Sequence, residues 1–327
     1  MTNRIAFITG VSGQDGSYLT EYLLKNNYEV HGIVRRNSVA EHQESRIDHL
    51  APYINIYYSD MLDSNSLRST IDKVSPTEIY NLAAQSHVRI SSEIPEFTTQ
   101  INAIGPLRIL EIIKSLKGDI KFYQASSSEM FGKSVESDNY QRESTKMIPV
   151  SPYGCAKLFA YNITRHYREA YNLFAANGIL FNHESPRRAS NFVTSKVIKT
   201  AVQIKFRQAS KLTLGNLDSQ RDWGHSRDYV KAMVKILEHD VADDWVVATG
   251  ETRSIRQLVE LVFSRLDLNY KDYVIQDTKF MRPEELQYLR GDASKIKNEL
   301  GWQPETSFEE MIDEMLEFWL SNLQKFK

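Results

Sequence analysis

Tyr153 and Lys157 stand four residues apart in Ser151-Pro152-Tyr153-Gly154-Cys155-Ala156-Lys157, a spacing that stacks two side chains on one face of a helix. An ammonium beside a phenol stabilises the phenolate and lowers the tyrosine pKa, which makes a base usable near neutrality. Ser151 suits an N-cap and Pro152 a first helical turn, so the pair is expected at a helix start. A second polar stretch, ASSSEMFG at 125–132, closes a strand pattern in hydroxyls and a carboxylate. If that strand end faces the helix, Ser127, Glu129, Tyr153 and Lys157 converge on one small volume, and these four are the candidate catalytic residues. Phenol and hydroxyl around a carbinol oxygen suit proton transfer coupled to hydride transfer. The carboxylate adds a step. Beside a fresh ketone it can take the neighbouring C–H proton and hand it to a hydroxyl leaving the next carbon. A lone glutamate there is more often a helix-start or surface carboxylate, so its role rests on the other three.

The elements that must position these groups alternate along the chain. An apolar strand over 4–9 ends in Gly10-x-x-Gly13-x-x-Gly16, and a helical pattern begins at Ser17. Strand, glycine turn and helix put backbone N–H groups against a pyrophosphate. The next strand, 29–34, stops at Arg35-Arg36. An acidic residue there would hold a ribose 2′-hydroxyl, whereas two arginines suit a 2′-phosphate, so NADP is expected rather than NAD. Strands follow at 55–60, 78–84, 121–127 and 174–181, with helices at 64–74, 97–116 and from Ser151. This alternation predicts an α/β fold with a doubly wound parallel sheet of Rossmann type, its ligands at the C-terminal strand ends. Later come a helix at 191–207, strands at 211–215 and 244–249, and helices at 228–239, 254–266 and 307–324. In the last, Ser307 and Glu310 form a capping box, and Met311, Met315, Phe318 and Trp319 read as a core stripe.

With 327 residues, 41% hydrophobic, the chain can bury a large core. Its 40 basic and 42 acidic side chains give no electrostatic reason to expect nucleic-acid binding. The single cysteine, Cys155, excludes an internal disulfide and points to a reducing compartment. No signal peptide and no membrane-spanning apolar run is read, and no metal site is expected, so the expectation is a cytoplasmic protein.

At greater length, GVSGQDGSYL (10–19), NLAAQSHV (81–88), ASSSEMFG, NHESPRR (182–188) and NLDSQRDWGHSRDY (216–229) closely resemble the GDP-mannose 4,6-dehydratases, which are extended short-chain dehydrogenase/reductase enzymes. Arg282-Pro283-Glu284-Glu285 and Leu300-Gly301-Trp302-Gln303-Pro304 fit the same pattern. The resemblance implies a Rossmann domain holding NADP over 1–181 and about 220–253. It also implies a smaller α/β lobe for a GDP-sugar over about 182–219 and 254–327. Ser127 then stands where the family has threonine and binds the sugar O4, Glu129 is the acid/base, Tyr153 the base for C4 oxidation, and Lys157 also reaches the nicotinamide ribose. Cofactor contacts carry over to Gly10, Ser12, Gly13, Gln14, Asp15, Gly16, Arg35, Arg36, Asn37, Ser38, Asp60, Met61, Leu82, Ala83, Ala84, Ser86, His183 and Arg188. Substrate contacts carry over to Ser86, Asn182, Asn191, Val193, Lys196, Gly215, Arg221, Arg282 and Glu285, with Lys196, Arg221 and Arg282 as diphosphate partners.

Departures from the family pattern are the segment 36–46, longer and more acidic than the short serine-rich loop of the family, Phe97 in place of tyrosine, Ala189 in place of glycine and Cys155 in place of alanine. Cys155 is expected as a small packed side chain. The implied reaction turns GDP-mannose into GDP-4-keto-6-deoxymannose in a homo-oligomer, dimer or tetramer. The same chemistry on a GDP-manno-heptose is one alternative. A sugar-nucleotide 4-epimerase, which needs Tyr153 and Lys157 but not Glu129, is another; a non-catalytic NADP-binding scaffold is a third.

Overall fold

A computed structural model describes residues 4–36, 45–116, 118–280 and 284–322. Its centre is a parallel sheet of β1 (Ile5–Thr9), β2 (Glu29–Val34), β3 (Asn55–Tyr58), β4 (Glu78–Asn81), β5 (Lys121–Ser127), β6 (Ala175–Leu180) and, far along the chain, a strand at Asp244–Val247. From one edge the order is that late strand, then β6, β5, β4, β1, β2 and β3, all neighbours parallel. Alternation along the strands feeds two cores. Ala6, Ile8, Tyr80 and Tyr123 pack on one face with α1 (Gln14–Lys25). Phe7, Ile79 and Phe122 face α2 (Ser64–Val74) on the other.

The helix expected at 97–116 is interrupted. Short helices at Val88–Ser91 (α3) and Pro95–Thr99 (α4) precede a π turn at Gln100–Ile104, and α5 (Gly105–Leu116) then resumes. Pro106 brings no N–H to the ladder. Asn102, inside the turn, clamps Gln85 by accepting its N–H and donating to its carbonyl, both at 2.9 Å. The strand expected to 84 stops at Asn81, because the Leu82 and Ala83 amides turn aside to the Thr9 hydroxyl, each at 3.1 Å. α6 (Pro152–Tyr171) then packs across β5 and β6.

After β7 (Asn182–Glu184) and α7 (Val193–Lys205) come β8 (Leu212–Leu214), β9 (Gln220–Arg221), β10 (Trp223–His225), α8 (Ser226–Glu238), β11 (Asp244–Val247), β12 (Arg253–Ser254) and α9 (Ile255–Arg265). A separate core gathers Val197, Leu212, Leu258 and Phe263 with Met311, Met315 and Trp319 of the terminal helix, Phe308–Asn322, so the predicted stripe is core. Ile296 and Trp302 pack instead in the core beneath α8. The small pairing of β10 with β7 brings the NHESPRR and QRDWGH stretches together above the C-terminal ends of the sheet strands, and β9 pairs with β12 beside it.

Candidate active site

The glycine turn is built for close approach. Gly10 has φ +72°, and a Cβ there would lie 2.9 Å from the Ala83 nitrogen; one on Gly16 would lie 2.3 Å from the Gly10 carbonyl. Gly13 is the N-cap of α1 and brings no capping side chain, an arrangement that suits an anion at the first-turn amides. Above the turn opens a groove of about 360 Å³ lined by Gly10, Ser12, Gly13, Gln14, Asp15, Gly16, Arg35, Met61, Leu82, Ala83, Ala84, Ser86, Phe97 and Arg188. Arg36 is exposed beyond the groove. Asp60 is not among the lining residues, and its carboxylate accepts the Leu62 amide at 2.9 Å. Asn37, Ser38 and Arg282 lie outside the described residues.

The groove runs into a second cavity of about 330 Å³ that shares Asp15, Leu82, Ala84, Ser86 and Arg188 with it. Ser127, Glu129, Tyr153 and Lys157 all line this cavity, each more than nine-tenths buried. Ser127 ends β5 and its hydroxyl accepts the Glu129 amide at 3.3 Å, which caps the turn that carries the carboxylate. Ser151 caps α6 through the Gly154 amide at 3.0 Å, with Pro152 in the first turn as expected. The Tyr153 amide is also held, by the Ser91 hydroxyl at 3.2 Å.

The electrostatics differ from the expectation. Burial pushes the Tyr153 phenol up to about 12, with Ser127 and Arg188 drawing it down and Glu129 raising it. Lys157 does not supply the lowering. Its ammonium donates to the Ala125 carbonyl at 2.7 Å, and burial brings it down to about 8 against the pull of Asp15. Desolvation therefore outweighs the neighbouring charge in the chain by itself.

His183 joins the two halves. Its Nε2 meets the Asp15 carboxylate at 2.8 Å and its Nδ1 the Phe181 carbonyl at 2.7 Å. Asn182, Asn191, Val193, Lys196, Gly215, Arg221 and Glu285 complete the wall with Ser86. Lys196 donates to the Thr213 carbonyl at 2.7 Å. Arg89, on α3, also lines the wall, and after burial its charge is the cause that lowers Lys196. Sequence reading missed it, since an arginine in the connection after a strand is indistinguishable from a solvated charge; its place directly after the NLAAQSHV motif was the only signal. Phe192 was missed too, and the Arg188 guanidinium sits 3.5 Å above its ring. Cys155 is a correction: it is exposed, because two residues on from Tyr153 it leaves the helix face that Tyr153 and Lys157 share.

A nicotinamide dinucleotide fits this donor set. A turn with no room for a Cβ, first-turn amides with no side-chain cap among the described residues and an arginine at the groove rim lead into the cavity of the tyrosine–lysine pair. This sheet order, glycine turn and paired Tyr153 and Lys157 define an extended short-chain dehydrogenase/reductase fold.

Solved structures share the fold. The UDP-glucose 4-epimerase of Thermotoga maritima with UDP-glucose has TM-score 0.85 at 22% identity, covering 98% of this chain and 99% of that one. The dTDP-glucose 4,6-dehydratase of Bacillus anthracis in complex with NAD has the same score and identity, covering 98% of each. A backbone alone therefore does not separate epimerase from dehydratase. Sequence does: the family model for GDP-mannose 4,6 dehydratase matches residues 7–315. The GDP-mannose 4,6 dehydratase of Drosophila melanogaster is 45% identical over 350 residues, 99% of this chain and 88% of the relative. The chain belongs to the GDP-mannose 4,6-dehydratase family.

Proposed function

We propose that the chain is an NADP-dependent GDP-mannose 4,6-dehydratase, a hydro-lyase producing GDP-4-keto-6-deoxymannose. The observation that carries this reading is Glu129, buried in the same cavity as Ser127, Tyr153 and Lys157. When bound, the nicotinamide supplies the hydride acceptor that takes hydrogen from C4 and later returns it to C6. Ser127 and Tyr153 hold the sugar O4, and Tyr153 takes the hydroxyl proton as C4 becomes a ketone. Glu129 then removes the C5 proton, made acidic by that ketone, and delivers it to the C6 hydroxyl, which leaves as water. Net redox is zero. Lys196 and Arg221 meet the diphosphate, and Asn182, Asn191, Val193, Gly215 and Glu285 surround the nucleotide.

Arg35 at the groove rim favours the 2′-phosphate of NADP. The division into a cofactor domain (1–181 with about 220–253) and a sugar-nucleotide lobe (about 182–219 with 254–327) belongs to this reading, as does a cytoplasmic homo-oligomer. Among the described residues no helix is long and apolar enough to cross a membrane. The test is to incubate the purified protein separately with GDP-mannose and GDP-manno-heptose and weigh the products. A GDP-mannose product lighter by one water is expected. An epimerised product of unchanged mass removes the reading, and preferential turnover of the heptose redirects it.

A further inference from the structure

Under the catalytic cavity runs a rung of buried amides and one hydroxyl. Thr9, Asn81 and Gln124 are in register across β1, β4 and β5. The Thr9 hydroxyl donates to Asn81 Oδ1 at 2.7 Å, Asn81 Nδ2 to Gln124 Oε1 at 2.7 Å, and Gln124 Nε2 to the Ala125 carbonyl at 2.9 Å. That carbonyl is the one that also receives the Lys157 ammonium. The other end reaches the groove, where the Thr9 oxygen accepts the Leu82 and Ala83 amides. All three side chains are essentially inaccessible, so each amide orientation is dictated by the next. A mid-sheet glutamine is a poor choice for packing alone, because an apolar side chain would fill the place without a polar group to satisfy.

From this geometry we infer that Gln124 is a positioning residue for Lys157: it fixes the Ala125 carbonyl, and the Thr9–Asn81 rung fixes Gln124. The inference rests on the dehydratase reading for its assay, but not for its binding readout. Besides Tyr153 one turn back on α6, the titratable groups around Lys157 are Asp15, paired with His183, and Glu129 and Arg188, which share the cavity wall.

Two variants decide it. Gln124→Met removes the amide at similar length, and should lower kcat by on the order of tenfold or more with KM for the sugar nucleotide unchanged. Gln124→Glu keeps the acceptor for Asn81 but replaces the donor that holds the Ala125 carbonyl with a carboxylate oxygen close to the ammonium. It should move the alkaline limb of activity upward by about one pH unit. The same upward shift should appear in the pH dependence of NADPH binding, followed by fluorescence without sugar. If wild type turns over no GDP-sugar, the functional reading fails while the binding limb still judges this inference. A folded Gln124→Glu protein whose binding limb coincides with wild type overturns it. Loss of folding in both variants also overturns it, by making Gln124 a structural residue only.

Discussion

His183 Nε2 lies 2.8 Å from Asp15 Oδ2, so a ring carried on β7 is clamped to the first turn of α1, 168 residues earlier in the chain. With Nδ1 held at the Phe181 carbonyl, both ring nitrogens face acceptors, which favours the imidazolium. The ring also stacks on Tyr229, centroids 4.6 Å apart. The glycine turn and the loop leading to the substrate wall are thereby one unit.

The clamp predicts a pH-dependent stability. Burial works against the Asp15 carboxylate, yet His183 carries it below its usual 3.8; burial likewise opposes the His183 charge, yet Asp15 carries it above its usual 6.5. The raised histidine contributes fully below its unfolded value and loses its share as pH climbs through the folded one. The lowered aspartate contributes fully above its unfolded value and loses its share as pH falls through the folded one. The stability gap between wild type and Asp15→Asn should be widest near about pH 5, at about 2 kcal/mol, and narrow by about pH 9. Thermal scans across that range check it, and a gap independent of pH contradicts the ion pair.

Glu129→Gln separates dehydration from oxidation. Turnover should fall by on the order of a thousandfold, since a general acid/base in the transition state is lost. C4 oxidation should survive as a slow rise in reduced-nicotinamide absorbance when sugar is added. Full turnover in this variant would remove the carboxylate from the chemistry.

Arg35 sets a cofactor preference. It is exposed at the groove rim, so its contact with a 2′-phosphate is screened by water. Arg35→Ala should weaken NADP by roughly tenfold and leave NAD nearly unchanged. Fluorescence titrations with both dinucleotides decide the matter; an equal loss for the two would reassign Arg35 to a phosphate they share.

What could be read from the chain alone was local or periodic. The glycine turn after β1, the capped start of α6 with Tyr153 and Lys157 on one face, and the Met311–Trp319 stripe each depend on residues within a few positions, so spacing sufficed. The family motifs likewise led to the residues that line the cavity. Tertiary structure decided what depends on neighbours brought from elsewhere. Whether Tyr153 is raised or lowered is a balance of burial against charge, and burial comes from the whole fold. Arg89 joins the cavity wall only because α3 docks beside it, and Cys155 is exposed only because nothing among the described residues covers its face of α6. The break before α5 and the rung beneath Lys157 are set by contacts between distant segments, where Asn102 reaches Gln85 and Asn81 reaches Gln124. One-dimensional order carries spacing along the chain; the energy of a buried charge or amide is decided by its surroundings in space.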